Sequence, residues 1–210
     1  MINILIVDDH SIVREGMKQI LADIDDMKVA GEAANGAEAL AKVQKQPFDL
    51  VLLDISMPGR SGLDVLKELK NIQPRLPVLM LSMYPEEQYA VRALRSGASG
   101  YLTKESAPDE LISAIRKVCG GGRYVSVSLA ENIAFTIDRK TVQAPHESLS
   151  DREYQIMCMI ASGKAVKDIA RELSLSVKTI STYRSRILKK MTMNTNADIT
   201  RYALQNSLVS

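Results

Sequence analysis

Five polar side chains lie at the ends of predicted strands, where their types and spacing suit phosphoryl chemistry. Asp8 and Asp9 follow the first apolar run, Asp54 follows the third, Ser82 ends the fourth and Lys104 follows the fifth. Three carboxylates in one crevice repel each other, and Mg²⁺, which prefers oxygen ligands, relieves that repulsion. One carboxylate can then attack phosphorus to form an acyl phosphate, while a lysine and a hydroxyl stabilise the phosphoryl oxygens. We therefore expect a magnesium site that also accepts a phosphoryl group.

Alternating apolar runs and amphipathic segments through residues 1–119 must position those side chains. This alternation is typical of repeated βα units around a parallel sheet whose strands are covered on both faces. The predicted strands are Ile2–Val7, Val29–Ala33, Leu50–Leu53, Val78–Leu81 and Gly100–Leu102. The predicted helices lie near Ile12–Ala22, Gly36–Gln44, Gly62–Lys70, Glu86–Arg95 and Ala107–Cys119. In such an α/β doubly wound five-stranded sheet, of the flavodoxin-like class, ligands bind beyond the carboxyl ends of the strands.

Beyond residue 119 the pattern changes to a linker followed by helices alone. Gly120-Gly121-Gly122 opens a connector with one helical pattern near Leu129–Ile137. The later helical patterns lie near Asp151–Ala161, Val166–Leu173, Val177–Met191 and Ala197–Gln205. Ser150 and Glu153 have the spacing of a capping box at the start of the first of these. The sequence thus predicts a domain at 1–119, a linker at 120–146 and an all-α four-helix domain at 147–210.

Composition excludes several classes of protein. A chain of 210 residues with 46% hydrophobic and 25% charged residues is typical of folded domains, not of a disordered or collagen-like chain. Two cysteines without CxxC spacing and two histidines give neither a disulfide framework nor a zinc site. No apolar stretch approaches the roughly 18–20 residues needed to cross a bilayer. We therefore expect a soluble, cytoplasmic protein with no membrane partner.

The positive charge is concentrated in the second domain. Residues 1–146 hold 17 Lys and Arg against 19 Asp and Glu, a net charge of −2, whereas residues 147–210 hold 10 against 6, a net charge of +4. From Leu173 to Ala197 there are five bases and no acid. Positive potential on one short element fits a polyanionic partner, and a solvated helix face is the alternative that charge alone leaves open.

Two helices of this domain have the apolar spacing of a helix-turn-helix. One apolar stripe is formed by Val166, Ile169, Ala170 and Leu173, and the other by Val177, Ile180, Tyr183, Ile187 and Met191. Opposite the second stripe lie Lys178, Thr182, Ser185 and Lys189, flanked by Ser181 and Arg186. Hydroxyls and cations of this kind can bond base edges and phosphates in a major groove. Arg184 falls within the apolar arc, so we expect it to extend to solvent or to pair. Helical periodicity alone does not distinguish a helix face that binds DNA from one that is only exposed to solvent.

The motifs of the first domain resemble those of two-component receiver domains. They are Val7-Asp8-Asp9-His10, Leu53-Asp54-Ile55-Ser56-Met57-Pro58-Gly59, Ser82 and Gly100-Tyr101-Leu102-Thr103-Lys104. The resemblance implies that Asp54 is the phosphoacceptor and that Mg²⁺ is held by Asp9, Asp54, the Ser56 carbonyl and, through water, Asp8. It implies that Lys104 and Ser82 contact the phosphoryl group, and that Ser82 and Tyr101 form a switch pair. Lys104 is followed by Glu105, where many receivers have proline, so the geometry of that turn is open.

The second domain resembles the LuxR-type DNA-binding domain, and its pairing with a receiver resembles the NarL/FixJ response regulators. The motifs are Leu149-Ser150-Asp151-Arg152-Glu153, Ile169-Ala170, Ser176-Val177-Lys178-Thr179-Ile180 and Ile187-Leu188-Lys189-Lys190-Met191. The candidate DNA contacts are Lys178, Thr179, Ser181, Thr182, Ser185, Arg186, Lys189 and Lys190. Tyr183 stands where family members commonly have histidine. The resemblance implies that the last helix mediates dimer contacts on double-stranded DNA.

Together the resemblances imply a DNA-binding transcriptional regulator that a sensor histidine kinase phosphorylates on Asp54, with phosphorylation controlling homodimer formation and DNA binding. Its only implied catalysis is its own phosphorylation and dephosphorylation. A phosphatase of the haloacid dehalogenase type is disfavoured, because Asp8-Asp9-His10 lacks the DxDx(T/V) pattern. A nucleotide-binding Rossmann enzyme would need a glycine-rich loop after the first strand. A receiver with a protein-binding output remains the main alternative.

Two coupling mechanisms are compatible with the sequence. The opposite net charges favour docking of the receiver on the basic helix, which phosphorylation would release. In the alternative, the domains are independent and phosphorylation only dimerises the receivers.

Overall fold

Five short apolar segments form one parallel sheet in the first of the two units of the chain. In the computed structural model, which describes residues 1–126, 129–130 and 144–209, these units are Met1–Ala130 and Glu131–Ser210. The strands are β1 (Ile2–Val7), β2 (Met27–Ala33), β3 (Leu50–Asp54), β4 (Val78–Ser82) and β5 (Gly100–Thr103). They pair in the order β2-β1-β3-β4-β5, and every pair is parallel. The predicted doubly wound sheet is confirmed, with the change of winding direction between β1 and β3.

Five amphipathic helices alternate with these strands. They are α1 (Ser11–Ala22), α2 (Gly36–Lys45), α3 (Gly62–Ile72), α4 (Glu86–Arg95) and α5 (Pro108–Cys119). Leu21 of α1 and Ile115 of α5 are buried in one core cluster with the side chains of β1, β3, β4 and β5. Because β3 and β4 are buried along their whole length, they read as continuous apolar runs in the sequence.

The segment after α5 continues the edge of the sheet. Tyr124 forms a parallel bridge with Gly100 of β5, and its backbone N–H donates to the Ser99 carbonyl at 2.9 Å. The Tyr124 hydroxyl donates to Glu110 Oε1 at 3.0 Å. These bonds cover part of the outer edge of β5. The helix predicted near Leu129–Ile137 lies, beyond its first two residues, outside the described residues.

Residues 144–209, the described part of the second unit, form a 3-10 turn at Pro145–Ser148 and four helices. They are α6 (Asp151–Ala161), α7 (Val166–Glu172), α8 (Val177–Lys190) and α9 (Asn196–Gln205). The predicted capping box is present at the start of α6: Ser150 Oγ accepts from the Glu153 backbone, and Glu153 Oε2 accepts from the Ser150 backbone at 2.8 Å. In this unit α6 packs against α8 and α9, and α7 packs against α8. Within the described residues, no helix combines the length and the apolarity of a membrane span.

The two apolar stripes are mostly buried, but Val166 and Tyr183 are half-buried and Val177 is exposed. Ile169 and Leu173 of α7 are buried, as are Ile180 and Ile187 of α8. Val177 was expected in the second stripe, but 52% of it is exposed, because it is the first residue of α8 and precedes the packed part of the helix.

Arg184 was predicted to reach solvent or to pair, and it pairs. Its Nε donates to Asn196 Oδ1 at 2.5 Å. This bond ties α8 to the first residue of α9.

Candidate functional site

Three charged side chains at the ends of three strands converge at the carboxyl edge of the sheet. Lys104 Nζ lies 2.6 Å from Asp8 Oδ2 and 3.0 Å from Asp54 Oδ2. The side chains of Asp8 and Asp54 are each 1% exposed, and that of Lys104 is 7% exposed. The Lys104 backbone N–H donates to the Ser82 carbonyl at 2.7 Å, which joins the ends of β4 and β5. The structure therefore brings together the strand ends that the sequence singled out.

Burial and charge act against each other in this cluster. Burial raises the pKa of Asp54, and the nearby Asp8 carboxylate adds to the rise, while Lys104 opposes it. Burial lowers the pKa of Lys104, but the Asp54 and Asp8 carboxylates outweigh burial and leave it raised. Lys104 is thus held as a cation among more carboxylates than it can neutralise.

The surplus negative charge fits a divalent cation. Asp8, Asp9, His10 and Asp54 each offer a ligand atom, and these atoms lie within 4.8 Å of one another. Among the described residues, Asp9 Oδ1 and Asp54 Oδ1 are buried without a hydrogen-bond partner. Such oxygens are costly to bury unless a cation or a donor reaches them. Because the carboxylate oxygens suit a hard cation, the residues present fit Mg²⁺.

His10 is a member of this cluster to which sequence analysis assigned no role. Its Nδ1 lies 3.1 Å from Asp9 Oδ1 and 3.3 Å from Asp8 Oδ1, while 64% of its side chain is exposed. Its backbone N–H donates to Asp8 Oδ1 at 2.8 Å. His10 therefore helps to hold the acidic pair at the mouth of the site. Its place directly after Asp8-Asp9 was the available signal.

Ser82 and Tyr101 meet at one residue of the loop after β4. Ser82 is fully buried, and its Oγ accepts from the Tyr84 backbone N–H at 3.0 Å. Tyr101 is also fully buried, and its hydroxyl donates to the Tyr84 carbonyl at 2.8 Å. Burial raises the pKa of Tyr101 well above its usual range, so the phenol stays protonated. Tyr84 therefore links the Ser82 hydroxyl to the Tyr101 hydroxyl through its backbone N–H and carbonyl.

A close backbone approach fixes the end of β3. A Cβ added to Gly62 would lie 1.9 Å from the Asp54 carbonyl oxygen, and the Gly62 N–H donates to the Ile55 carbonyl at 2.9 Å. Only glycine fits this contact. Sequence analysis did not identify Gly62, because the contact depends on how α3 folds back on the strand. Ser56 lies in the same connection, two residues after Asp54.

The polar face of α8 is exposed, as its periodicity predicted. The exposed members of the candidate set are Lys178, Ser181, Thr182, Ser185, Arg186, Lys189 and Lys190. Thr182 Oγ1 and Ser185 Oγ donate to backbone carbonyls one turn earlier, each at 3.0 Å. The hydroxyl oxygens keep lone pairs that can accept bonds.

Two members of the set have partners inside the unit. Lys190 Nζ lies 2.6 Å from Glu153 Oε2, and half-buried Thr179 shares a 2.7 Å hydroxyl contact with the N-cap Ser176. Within the described part of the chain, no ion pair involves Lys178, Arg186 or Lys189. These three cations are therefore available to an anion from outside the chain.

Comparison with known proteins defines the class of the molecule. Residues 4–116 match the response regulator receiver domain, and residues 147–203 match the luxR family of bacterial regulatory proteins. The chain therefore belongs to the two-component response regulators that join a receiver to a LuxR-type helix-turn-helix domain. It is a DNA-binding transcriptional regulator of this family, and the resemblances found in the sequence are confirmed.

Relatives match the chain along its whole length. It is 39% identical to the response regulator UvrY of Escherichia coli strain K12 over 209 residues, which are 99% of this chain and 96% of that protein. It is 38% identical to the response regulator GacA of Pseudomonas protegens, over 100% of this chain and 98% of that protein. RcsB of Salmonella enterica serovar Typhimurium, in a structure bound to promoter rprA with the phosphomimetic BeF3−, is 26% identical over the full length of both chains, with a TM-score of 0.65.

Proposed function

We propose that Asp54 accepts a phosphoryl group from a sensor histidine kinase and that this event controls DNA binding by the helical domain. One observation carries the assignment. Asp54 ends the central strand β3 with one carboxylate oxygen 3.0 Å from Lys104 Nζ and the other without a hydrogen-bond partner in the described part of the chain. An anchored carboxylate with an unpartnered oxygen at the switch point of the sheet is suited to attack phosphorus.

The proposed transfer uses the ionised Asp54 carboxylate as nucleophile. Its oxygen forms a bond to phosphorus while the bond from phosphorus to the kinase histidine nitrogen breaks, and the electron pair leaves with the imidazole. Lys104, already a cation in the site, stabilises the charge on the phosphoryl oxygens. The Ser82 hydroxyl turns from Tyr84 toward one of these oxygens, and Tyr101 follows through its bond to the Tyr84 carbonyl.

We assign the metal site to Asp9, Asp54 and the Ser56 carbonyl as direct ligands, with Asp8 acting through a water. Mg²⁺ in this site would neutralise the carboxylates and offset charge on the transferring group. The unpartnered oxygens of Asp9 and Asp54 support this assignment. The receiver's own chemistry is limited to phosphorylation and slow dephosphorylation of Asp54, so it acts on no separate substrate.

We assign DNA recognition to α8, within a proposed DNA-binding domain at 147–210 that follows the receiver at 1–119 and the linker at 120–146. Lys178, Arg186 and Lys189 would contact phosphates, because they are exposed and have no acidic partner among the described residues. Ser181, Thr182 and Ser185 would contact base edges. Lys190 and Thr179 would contribute only when their contacts to Glu153 and Ser176 open.

The partners proposed for the chain follow from these sites. They are a sensor histidine kinase, double-stranded DNA and a second copy of the chain, with α9 in the dimer contact. RcsB, a relative over its full length, is described in a complex with a promoter, which supports the DNA partner. A chromosomal partner implies that the protein acts in the bacterial cytoplasm.

The phosphoacceptor assignment predicts the behaviour of Asp54→Asn. With acetyl phosphate and Mg²⁺, intact-mass spectrometry of the wild-type chain should show one added phosphoryl group, which hydroxylamine removes as expected for an acyl phosphate. Asp54→Asn should take up none, because an amide is a poor nucleophile. The control Asp49→Asn changes an exposed carboxylate of the same unit and should be phosphorylated like the wild type. Stable uptake by Asp54→Asn at the wild-type rate would contradict the assignment.

A further inference from the structure

A guanidinium on α1 holds the backbone from which the acidic pair extends. Arg14 Nη1 donates to the Asp8 carbonyl oxygen at 2.7 Å, and Arg14 Nε donates to Glu32 Oε2 at 3.2 Å. Only 17% of the Arg14 side chain is exposed. Glu32 lies on β2 in register with Ile6 of β1. One side chain therefore links α1 and β2 to the loop that follows β1.

The peptide unit after Asp8 is fixed by these contacts. The Asp8 N–H donates to the Ala33 carbonyl at 3.1 Å, and the Asp8 carbonyl accepts from Arg14. Because the peptide bond is planar, holding the Asp8 carbonyl also sets the direction in which the chain enters Asp9. The Asp9 side chain is 23% exposed, and its Oδ1 has no hydrogen-bond partner among the described residues. The orientation of the Asp9 carboxylate thus depends on the backbone that Arg14 holds, together with the contact of its Oδ1 to the exposed His10 ring at 3.1 Å.

We infer that Arg14 is a positioning residue for the metal site: it preorients Asp9 through the Asp8 carbonyl. The inference rests on the proposed role of Asp9 as a Mg²⁺ ligand. Without Arg14 the Asp8–Asp9 peptide unit can rotate. Mg²⁺ binding must then also order this unit, which lowers the affinity for Mg²⁺. Groups that orient metal ligands from outside the coordination sphere typically change metal affinity about 10–100-fold when removed.

Lys18 provides a matched control on the same helix. Its Nζ lies 2.9 Å from Glu32 Oε1 and 2.6 Å from Glu15 Oε2. It therefore shares the Glu32 carboxylate with Arg14, one turn later along α1, but its ion pairs within the described residues do not include Asp8. Arg14→Met and Lys18→Met each remove one cation from Glu32. Only Arg14→Met also removes the bond to the Asp8 carbonyl.

The test is Mg²⁺ binding to the full chain by isothermal titration calorimetry, with thermal unfolding of each variant measured in parallel. We expect Arg14→Met to raise the Mg²⁺ Kd about tenfold. Lys18→Met should keep the wild-type Kd. Phosphorylation of Arg14→Met by acetyl phosphate should be slow at low Mg²⁺ and return toward the wild-type rate at saturating Mg²⁺. Recovery of the rate separates a positioning role from general damage to the fold.

Arg14→Lys keeps a cation but offers no planar fork, so its Mg²⁺ Kd should rise to a lesser degree. It serves as the decisive variant if Arg14→Met does not fold, and a wild-type Kd for Arg14→Lys would then overturn the inference. Equal Mg²⁺ Kd values for wild type, Arg14→Met and Lys18→Met would overturn this inference but leave the proposed metal site in place. A wild-type chain that binds no Mg²⁺ would overturn the metal assignment of the proposed function and this inference with it.

Discussion

In its proposed role as phosphoacceptor, Asp54 must be ionised although it is buried. Burial raises the pKa of its carboxyl, and the Lys104 ammonium acts in the opposite direction. The lysine is secured in turn by the Asp8 carboxylate 2.6 Å away. Lys104 thus favours the ionised form of Asp54, and both carboxylates favour the cationic form of Lys104. Removing Lys104 would leave two buried carboxylates without their cation, which is costly.

At Gly62, the absence of a side chain preserves the position of Asp54. Gly62→Ala would place a Cβ 1.9 Å from the Asp54 carbonyl oxygen, so the end of β3 or the start of α3 must shift. We expect chemical denaturation to show a loss of about 1–3 kcal/mol in unfolding free energy, together with slower phosphorylation by acetyl phosphate.

Gly16→Ala is the control for this substitution. Gly16 lies in α1, and a Cβ added there would meet none of the described residues within 4 Å. Alanine at this position should therefore be neutral or stabilise the helix by up to about 1 kcal/mol. Wild-type stability and phosphorylation rate in Gly62→Ala would show that the contact does not constrain Asp54.

The residues of the site differ in how far the sequence reveals them. Asp8, Asp54 and Lys104 could be predicted to meet, because parallel strands place their carboxyl ends at one edge. Arg14 and Gly62 could not, because their contacts depend on how a helix lies against a loop. The pair of Lys190 with Glu153 joins residues that are far apart in the chain, so periodicity shows only that Lys190 is on a polar face.

At the scale of the element, Glu153 connects the start of α6 to the end of α8. Its carboxylate accepts from the Ser150 backbone N–H at 2.8 Å and from Lys190 Nζ at 2.6 Å. Burial opposes ionisation of Glu153, but Lys190 and Ser150 outweigh burial and hold its pKa below the usual 4.5. Because the folded pKa is depressed, this stabilisation is present above pH 4.5 and is lost as the pH falls through the folded pKa.

Glu153→Gln should remove that pH dependence while keeping a side chain able to cap α6. We expect a loss of about 1 kcal/mol in unfolding free energy at neutral pH. The difference from wild type should shrink below pH 4.5, as followed by denaturant unfolding at a series of pH values. Glu172→Gln breaks the exposed pair of Glu172 with Lys164 and should change stability by less than about 0.5 kcal/mol. Equal effects of both substitutions at every pH would refute the role given to Glu153.

The proposed recognition helix α8 exposes both cations and hydroxyls, and removal of the two kinds of side chain should have different effects on DNA binding. Lys178→Ala or Lys189→Ala should weaken binding to all sequences and reduce the slope of log affinity against log salt by about 0.9 for each phosphate that is no longer neutralised. Lys190→Ala should change the slope less, because its ammonium is paired with Glu153. Fluorescence anisotropy across a salt series measures these slopes.

Thr182→Ala and Ser185→Ala should instead alter base preference, which selection from random DNA would show. Uniform weakening of binding with unchanged base preference would exclude the two hydroxyls as base readers.

Val177 illustrates the limit of the helical pattern. Periodicity predicted that it lies in the apolar stripe, whereas its position at the start of the helix leaves it 52% exposed.

At the scale of the whole molecule, a receiver of net charge −2, including its linker, is joined to a DNA-binding domain of net charge +4. This asymmetry favours docking of the receiver on α8 in the unphosphorylated chain, with release on phosphorylation. In the alternative mechanism, the domains are independent and phosphorylation acts only by dimerising the receivers. Under docking, the 147–210 fragment should bind a half-site more tightly than the unphosphorylated chain does, whereas equal half-site affinities would leave dimerisation as the mechanism.

The central claim, that the state of Asp54 controls DNA binding, is tested most directly by one titration. DNA selected by the phosphorylated chain is titrated with the wild-type protein and with Asp54→Asn, each with and without acetyl phosphate and Mg²⁺. We expect acetyl phosphate to tighten binding by the wild-type protein and to leave Asp54→Asn unchanged. An equal gain in affinity for both proteins, or no gain for a wild-type chain that mass spectrometry shows to be phosphorylated, would contradict the account.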